Sequence, residues 1–193
     1  MNLPNKLTVL RACLVPVFMV ILLVEAIPLK ISCLAGAVVF ALTALTDMLD
    51  GKIARKHNLI TDFGKFMDPL ADKVMVICSL LAIMVRLNYL ADVLVWVTAL
   101  VVFRELAVTS LRLVAAGKEG MVIAAAFLGK LKTVTQIACI LCMLLEPLLP
   151  ASWTIFSEYH VLSYVTMAAM AVMTVWSGLD YMKKYWKFLD PAK

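Results

Sequence analysis

Between positions 47 and 72 the chain reads Asp47-x-x-Asp50-Gly51-x-x-Ala54-Arg55 and then Gly64-x-x-x-Asp68-x-x-x-Asp72, in a protein that is 64% hydrophobic. Steps of three and four residues put Asp47, Asp50, Gly51 and Ala54 on one face of a helix, and Asp68 with Asp72 on one face of another. The pattern predicts two neighbouring helices with acidic sides that can converge. Gly64 falls in the turn between them, and Asp68-Pro69 reads as the start of the second helix, aspartate capping and proline in the first position. Four anions in a poorly hydrated cleft repel, so they must be protonated, paired with bases or neutralised by cations. Carboxylate oxygens without thiolates or a second imidazole favour Mg²⁺ or Mn²⁺, and His57, the one histidine nearby, reads as a solvated loop residue. The expectation is a site for two divalent cations.

The rest of the chain fixes the surroundings of that site. Its mean hydropathy of +0.97 and 16% charged residues lie far from the balance of a water-soluble globule, about 25% charged. An all-α integral membrane protein follows, and 193 residues suit a single membrane domain, 1–193, with no separate soluble domain. Apolar runs at Leu7–Val24, Ile31–Leu45, Val74–Leu87, Val93–Phe103, Leu131–Leu149 and Val161–Leu179 predict six transmembrane helices behind a short N-terminal interfacial segment. The first run lacks a small-residue cleavage pattern and reads as a retained helix. The shorter runs continue into amphipathic stretches at Thr46–Lys56, Asp68–Lys73 and Arg104–Leu113, so those helices should outreach the lipid.

Of the 18 lysines and arginines, all but Lys30 and Arg86 fall at the start, between spans two and three, between spans four and five, or at the end. Positive charge collects on the cytoplasmic side, which predicts cytoplasmic termini and a cytoplasmic active site in a multi-pass protein of the cell membrane. Pro16 predicts a kink in the first span, while Pro147 and Pro150 end the fifth. The five cysteines sit in apolar runs and read as small buried hydrophobes, Cys139-x-x-Cys142 included. Glu25, Arg86, Glu146 and His160 read as markers of the outer boundary.

Magnesium and manganese work with phosphates, whose oxygens complete their coordination. Gly51 and Ala54 leave room for a bulky group on the acidic face, and Arg55 can fork onto phosphate oxygens. Arg104, Arg112, Lys130 and Lys132 border spans four and five on the same side, with the two arginines about two turns apart. Taken singly each could be an interfacial anchor that only sets depth. As a cluster they point to an anion site, because a charge at membrane depth costs about 2.5–3.5 kcal/mol on insertion scales.

The acidic stretch fills every fixed position of the signature Asp-x2-Asp-Gly-x2-Ala-Arg-x8-Gly-x3-Asp-x3-Asp, and on these residues the chain resembles the CDP-alcohol phosphotransferases. Pro4-Asn5-x-x-Thr8-x-x-Arg11, Phe103-Arg104-Glu105 with Ser110-x-Arg112, and Gly129-Lys130-x-Lys132-Thr133 are similar to the bacterial phosphatidylglycerophosphate synthases of that family. The likeness covers essentially the whole chain.

The resemblance implies transfer of a phosphatidyl group from CDP-diacylglycerol to the 1-hydroxyl of sn-glycerol 3-phosphate, giving phosphatidylglycerol phosphate and CMP. It implies two divalent cations, Mg²⁺ or Mn²⁺, the first on Asp47, Asp50 and Asp68, the second on Asp47, Asp68 and Asp72. Asp72 would be the general base. Gly51, Ala54 and Arg55 would hold the cytidine diphosphate, with Asn5, Thr8 and Thr61 on flanking segments, while Arg104, Arg112, Lys130 and Lys132 would hold the acceptor phosphate. Membrane lipids as surroundings, a homodimer and no nucleic-acid partner belong to the same expectation.

Other family chemistries, those of cardiolipin, phosphatidylserine and phosphatidylinositol phosphate synthases, would keep the acidic motif and change the basic pocket. Serine would not need so many positive charges. An intramembrane prenyltransferase also grips a pyrophosphate with two acidic helices, but its motifs lie far apart in the chain, and Gly-x-x-Ala-Arg goes unexplained. A divalent-cation transporter would place carboxylates at mid-membrane rather than at one edge beside basic residues.

Overall fold

The computed structural model describes residues 2–57, 61–119, 127–150 and 152–186. Among them the regular elements are all helical: α1 (Leu3–Leu23), α2 (Leu29–His57), α3 (Asp62–Arg86), α4 (Ala91–Glu119), α5 (Phe127–Leu145), the short α6 (Thr154–Ser157) and α7 (Val161–Tyr185). Single 3₁₀ turns at Asn88–Leu90 and Glu146–Leu148 lead into α4 and out of α5.

Among the described residues five stretches are long and apolar enough to cross a membrane: Pro4–Leu23, Leu29–Asp47, Asn88–Val114, Phe127–Leu148 and Val161–Tyr185. The chain is thus a multi-pass membrane protein. The third expected span lies in α3, whose first half is charged, so its apolar part alone falls short of that length. At 29 residues each, α2 and α4 rise about 43 Å, past a hydrocarbon core of about 30 Å. Both helices are thus longer than a hydrocarbon core requires.

The core runs the length of the bundle. Phe18 and Leu22 of α1, Phe40 of α2, Leu80 and Ile83 of α3, Leu94 and Val101 of α4, Ile140 and Met143 of α5 and Met170 of α7 are all essentially buried. Large apolar side chains also cover the outside, Trp96, Phe103, Val165 and Trp176 among them. Apolar residues facing both inward and outward are what a lipid solvent permits and water does not. α1 packs on α2 and α3, α7 on α4 and α5, and the two groups join through α2 against α5 and α3 against α4.

Two local expectations are corrected. α3 begins at Asp62 and not at Asp68-Pro69: the Thr61 side chain accepts a hydrogen bond from the Gly64 amide at 3.1 Å and caps the helix, and Asp62 puts a negative charge in the first turn. Pro69 therefore lies inside α3, and Gly64 is a buried first-turn residue rather than part of a connecting turn. A Cβ at Gly64 would come within 3.3 Å of Asn5 Oδ1 and of Thr61 Oγ1, so a side chain there would push both back by a few tenths of an ångström. Pro16 stays within an unbroken α1, and α5 stops ahead of Pro147.

Candidate functional site

The polar ends of α1, α2, α3, α4, α5 and α7 meet at one end of the bundle. The buried Arg11 guanidinium of α1 holds both acidic helices: its Nη1 lies 2.9 Å from Asp47 Oδ1 of α2 and is hydrogen-bonded to Asp72 Oδ1 of α3. Thr8, one turn earlier, donates to Asp68 Oδ1 at 2.5 Å and to the Pro4 carbonyl at 3.1 Å. Thr61 donates to Asn5 Oδ1 at 2.9 Å. Asn5, Thr8 and Arg11 form one face of α1, at helical spacing, and that face sets the position of the acidic residues.

The second half of the site is built on α4, α5 and α7. Lys132 pairs with Glu105 Oε1, the same oxygen that lies 3.2 Å from Arg104 Nη1. Lys73, next to Asp72, donates to Thr109 Oγ1, and Thr109 in turn donates to the Glu105 carbonyl at 2.7 Å. The Tyr181 hydroxyl of α7 accepts a 2.7 Å bond from Arg112 Nη2, and the Arg112 and Arg104 guanidinium carbons stand 5.1 and 5.7 Å from its ring centre. Such distances place both cations within reach of the ring's quadrupole. Gly178 packs closely on this arrangement, since a Cβ there would meet Arg104 Cγ at 3.2 Å.

Both halves open on one cavity of about 390 Å³. Asp47, Asp68 and Asp72 line one side, and Arg104, Arg112, Lys130 and Lys132 another, with Lys73 between them. Seven of the residues singled out in the sequence thus share a single space. Asn5, Thr8 and Thr61 lie behind Asp68 rather than on the cavity wall. α2 runs through Asp50, Gly51, Ala54 and Arg55, but their side chains lie outside the described residues.

The donor set suits a hard divalent cation. Three carboxylates face one cavity, and a single nitrogen of Arg11 touches two of them, so Asp47 and Asp72 come within reach of a shared positive charge. Among the described residues no three acidic, histidine or cysteine side chains already stand in a metal-binding group. Arg11 supplies charge balance at that spot.

Several participants carried no mark in the sequence. Arg11 and Glu105 belong to the quoted motifs without a role, and Lys73 counted only towards the charge bias. Tyr181 and Gln136 drew no notice, although Tyr181 shares a helix face with Gly178, three residues earlier, and Gln136 shares one with Lys132, four residues earlier. Glu146 proves more than a boundary marker: it is 1% exposed and accepts from the Leu162 amide at 2.9 Å, the Ser163 amide at 3.0 Å and the Ser163 hydroxyl, capping α7.

Comparison with known proteins agrees with the geometry. The profile of the family described as CDP-alcohol phosphatidyltransferase matches residues 1–176. The CDP-diacylglycerol--glycerol-3-phosphate 3-phosphatidyltransferase of Bacillus subtilis is 42% identical over 202 aligned positions, spanning 99% of this chain and 98% of that protein. Its Escherichia coli K12 namesake is 36% identical over 94% of this chain and 93% of its own length. The probable phosphatidylglycerophosphate synthase of Mycobacterium tuberculosis H37Rv is 39% identical over 95% of this chain and 81% of its own length.

Proposed function

Because this chain belongs to the CDP-alcohol phosphatidyltransferase family, we propose that it transfers a phosphatidyl group from CDP-diacylglycerol to the 1-hydroxyl of sn-glycerol 3-phosphate, leaving phosphatidylglycerol phosphate and releasing CMP. The observation that carries this reading is the shared cavity, with carboxylates on one wall and four cationic side chains on another. A donor bearing a pyrophosphate and an acceptor bearing a phosphate need both in one space.

Asp72 is the general base in this reading: its carboxylate accepts the proton of the 1-hydroxyl as that oxygen attacks the phosphatidyl phosphorus and the bond to CMP breaks. Arg104, Arg112, Lys130 and Lys132 fix the acceptor's phosphate, and with it the direction of attack. Asp47, Asp50, Asp68 and Asp72 would hold two divalent cations, which when bound neutralise the charge of the pyrophosphate. Gly51, Ala54 and Arg55 take the cytidine diphosphate. Asn5, Thr8 and Thr61 act one step behind, holding α1 and α3 together around Asp68.

One membrane domain with α3 as a sixth crossing, cytoplasmic termini and site, and assembly as a homodimer complete the proposal. The charge distribution supports the orientation: Arg86 and Lys30 lie at the ends of α3 and α2 remote from the cavity, where Arg86 donates to the Ile27 carbonyl and, at 3.3 Å, to the Ser32 hydroxyl. Two helices with acidic motifs on one short connection, and cations beside them, speak against prenyl transfer and cation transport alike.

The test is release of CMP from CDP-diacylglycerol by purified protein offered glycerol 3-phosphate, inositol phosphate, serine and phosphatidylglycerol separately. Only glycerol 3-phosphate should drive it. Release with serine or phosphatidylglycerol, or of pyrophosphate from a prenyl donor, would assign another reaction.

A further inference from the structure

Gln136 lies one turn beyond Lys132 on α5, lines the cavity and is 1% exposed. Its side-chain Nε2 has no hydrogen-bond partner among the described residues. Leaving a buried amide donor unbonded is unfavourable, and a folded protein keeps such a group where something else supplies the acceptor. Its polar neighbours on the wall are engaged: Thr133 donates back to the Gly129 carbonyl at 3.1 Å, Lys132 is bound to Glu105, and the Tyr181 hydroxyl accepts from Arg112. Ile137, Val101 and Met75, which line the same cavity, have apolar side chains.

On the acceptor reading above, on which this step rests, glycerol 3-phosphate presents three polar groups. The phosphate matches the cations, and the reacting 1-hydroxyl must face Asp72. That leaves the C2 hydroxyl, uncharged and able both to donate and to accept. A carboxamide has the same two capacities and no charge, and Gln136 is the carboxamide on the described wall of the cavity. We propose that Gln136 hydrogen-bonds the C2 hydroxyl of the acceptor, and that this contact distinguishes a 1,2-diol phosphate from a simple hydroxyalkyl phosphate. A site built around a hydroxyl rejects an analogue lacking it, because its own buried donor is then left unbonded.

The experiment compares kcat/KM for glycerol 3-phosphate and for 3-hydroxypropyl phosphate, which lacks only the C2 hydroxyl, in the wild-type enzyme and in Gln136→Met. The wild type should prefer glycerol 3-phosphate by about thirtyfold, the scale of one buried hydrogen bond. Gln136→Met should narrow the preference to about threefold or less, the loss falling on glycerol 3-phosphate, with no fall in melting temperature, since methionine fills similar volume without an unmet donor. Gln136→Leu is a second apolar replacement expected to give the same ratio. A variant that keeps the wild-type preference, or loses both acceptors by one factor while melting earlier, overturns the role of Gln136 and leaves the reaction intact. A wild-type enzyme that ignores glycerol 3-phosphate altogether overturns the reaction, and this role with it.

Discussion

At the end of the bundle away from the cavity, charges are answered mostly by backbone. Glu146 takes two amides and a hydroxyl at the start of α7, and Arg86 takes the carbonyl of Ile27. At the cavity end, charge answers charge between helices: Arg11 with Asp47 and Asp72, Lys132 with Glu105. Among the described residues, buried polar atoms without a partner occur at both ends, Arg104 Nε and Gln136 Nε2 beside the cavity and His160 Nδ1 ahead of α7. The first arrangement closes helix termini. The second keeps polar groups oriented and available, which is what binding requires and what folding alone would not select.

The contrast can be broken from either end. Asp72→Asn should cost most, lowering turnover by about a thousandfold or more while CDP binding stays measurable by titration; an active variant removes Asp72 as the base. Glu146→Ala, at the opposite end, strips three donors of their acceptor and should cost about 3 kcal/mol of stability. Unfolding in detergent reads that loss, and kcat/KM of the protein still folded should match the wild type. Arg112→Ala should raise the acceptor KM by about thirtyfold through loss of a charge-assisted phosphate contact, leaving the lipid donor's KM within about twofold. An effect on the donor alone would redraw the division of the cavity. The mildest change, Tyr181→Phe, keeps the ring beside both guanidinium groups and removes one hydrogen bond, so the acceptor KM should rise by about threefold.

What the sequence made legible follows from periodicity and charge. Apolar runs and the lysine and arginine bias located the helices, because lipid demands long apolar segments and tolerates charge at their ends. Helical spacing alone put Asp68 and Asp72 on one face. The start of α3 is ambiguous in the sequence because two capping signals compete. Asp68-Pro69 is the louder, but Thr61-Asp62 wins, and the Asp68 carboxylate receives the Thr8 hydroxyl instead of capping a helix. α3 reads as an ordinary span although its first half is charged, since a window on Val74–Leu87 sees only the apolar part. Tyr181 and Gln136 were silent for a different reason. Tyr181 meets Arg104 and Arg112, remote in the chain, and an uncharged side chain in an apolar helix gives no local sign of what it will face. Glu146 reads as a boundary marker because one carboxylate at the end of a span looks the same whether it faces lipid headgroups or caps the next helix.

The most direct measurement follows labelled glycerol 3-phosphate into extractable lipid, with purified protein and CDP-diacylglycerol, first in EDTA and then with Mg²⁺ or Mn²⁺ restored. If the acidic faces of α2 and α3 hold divalent cations for this transfer, incorporation falls to background in EDTA and returns with the metal, one CMP appearing per labelled lipid. Incorporation that continues undiminished in EDTA would contradict the account.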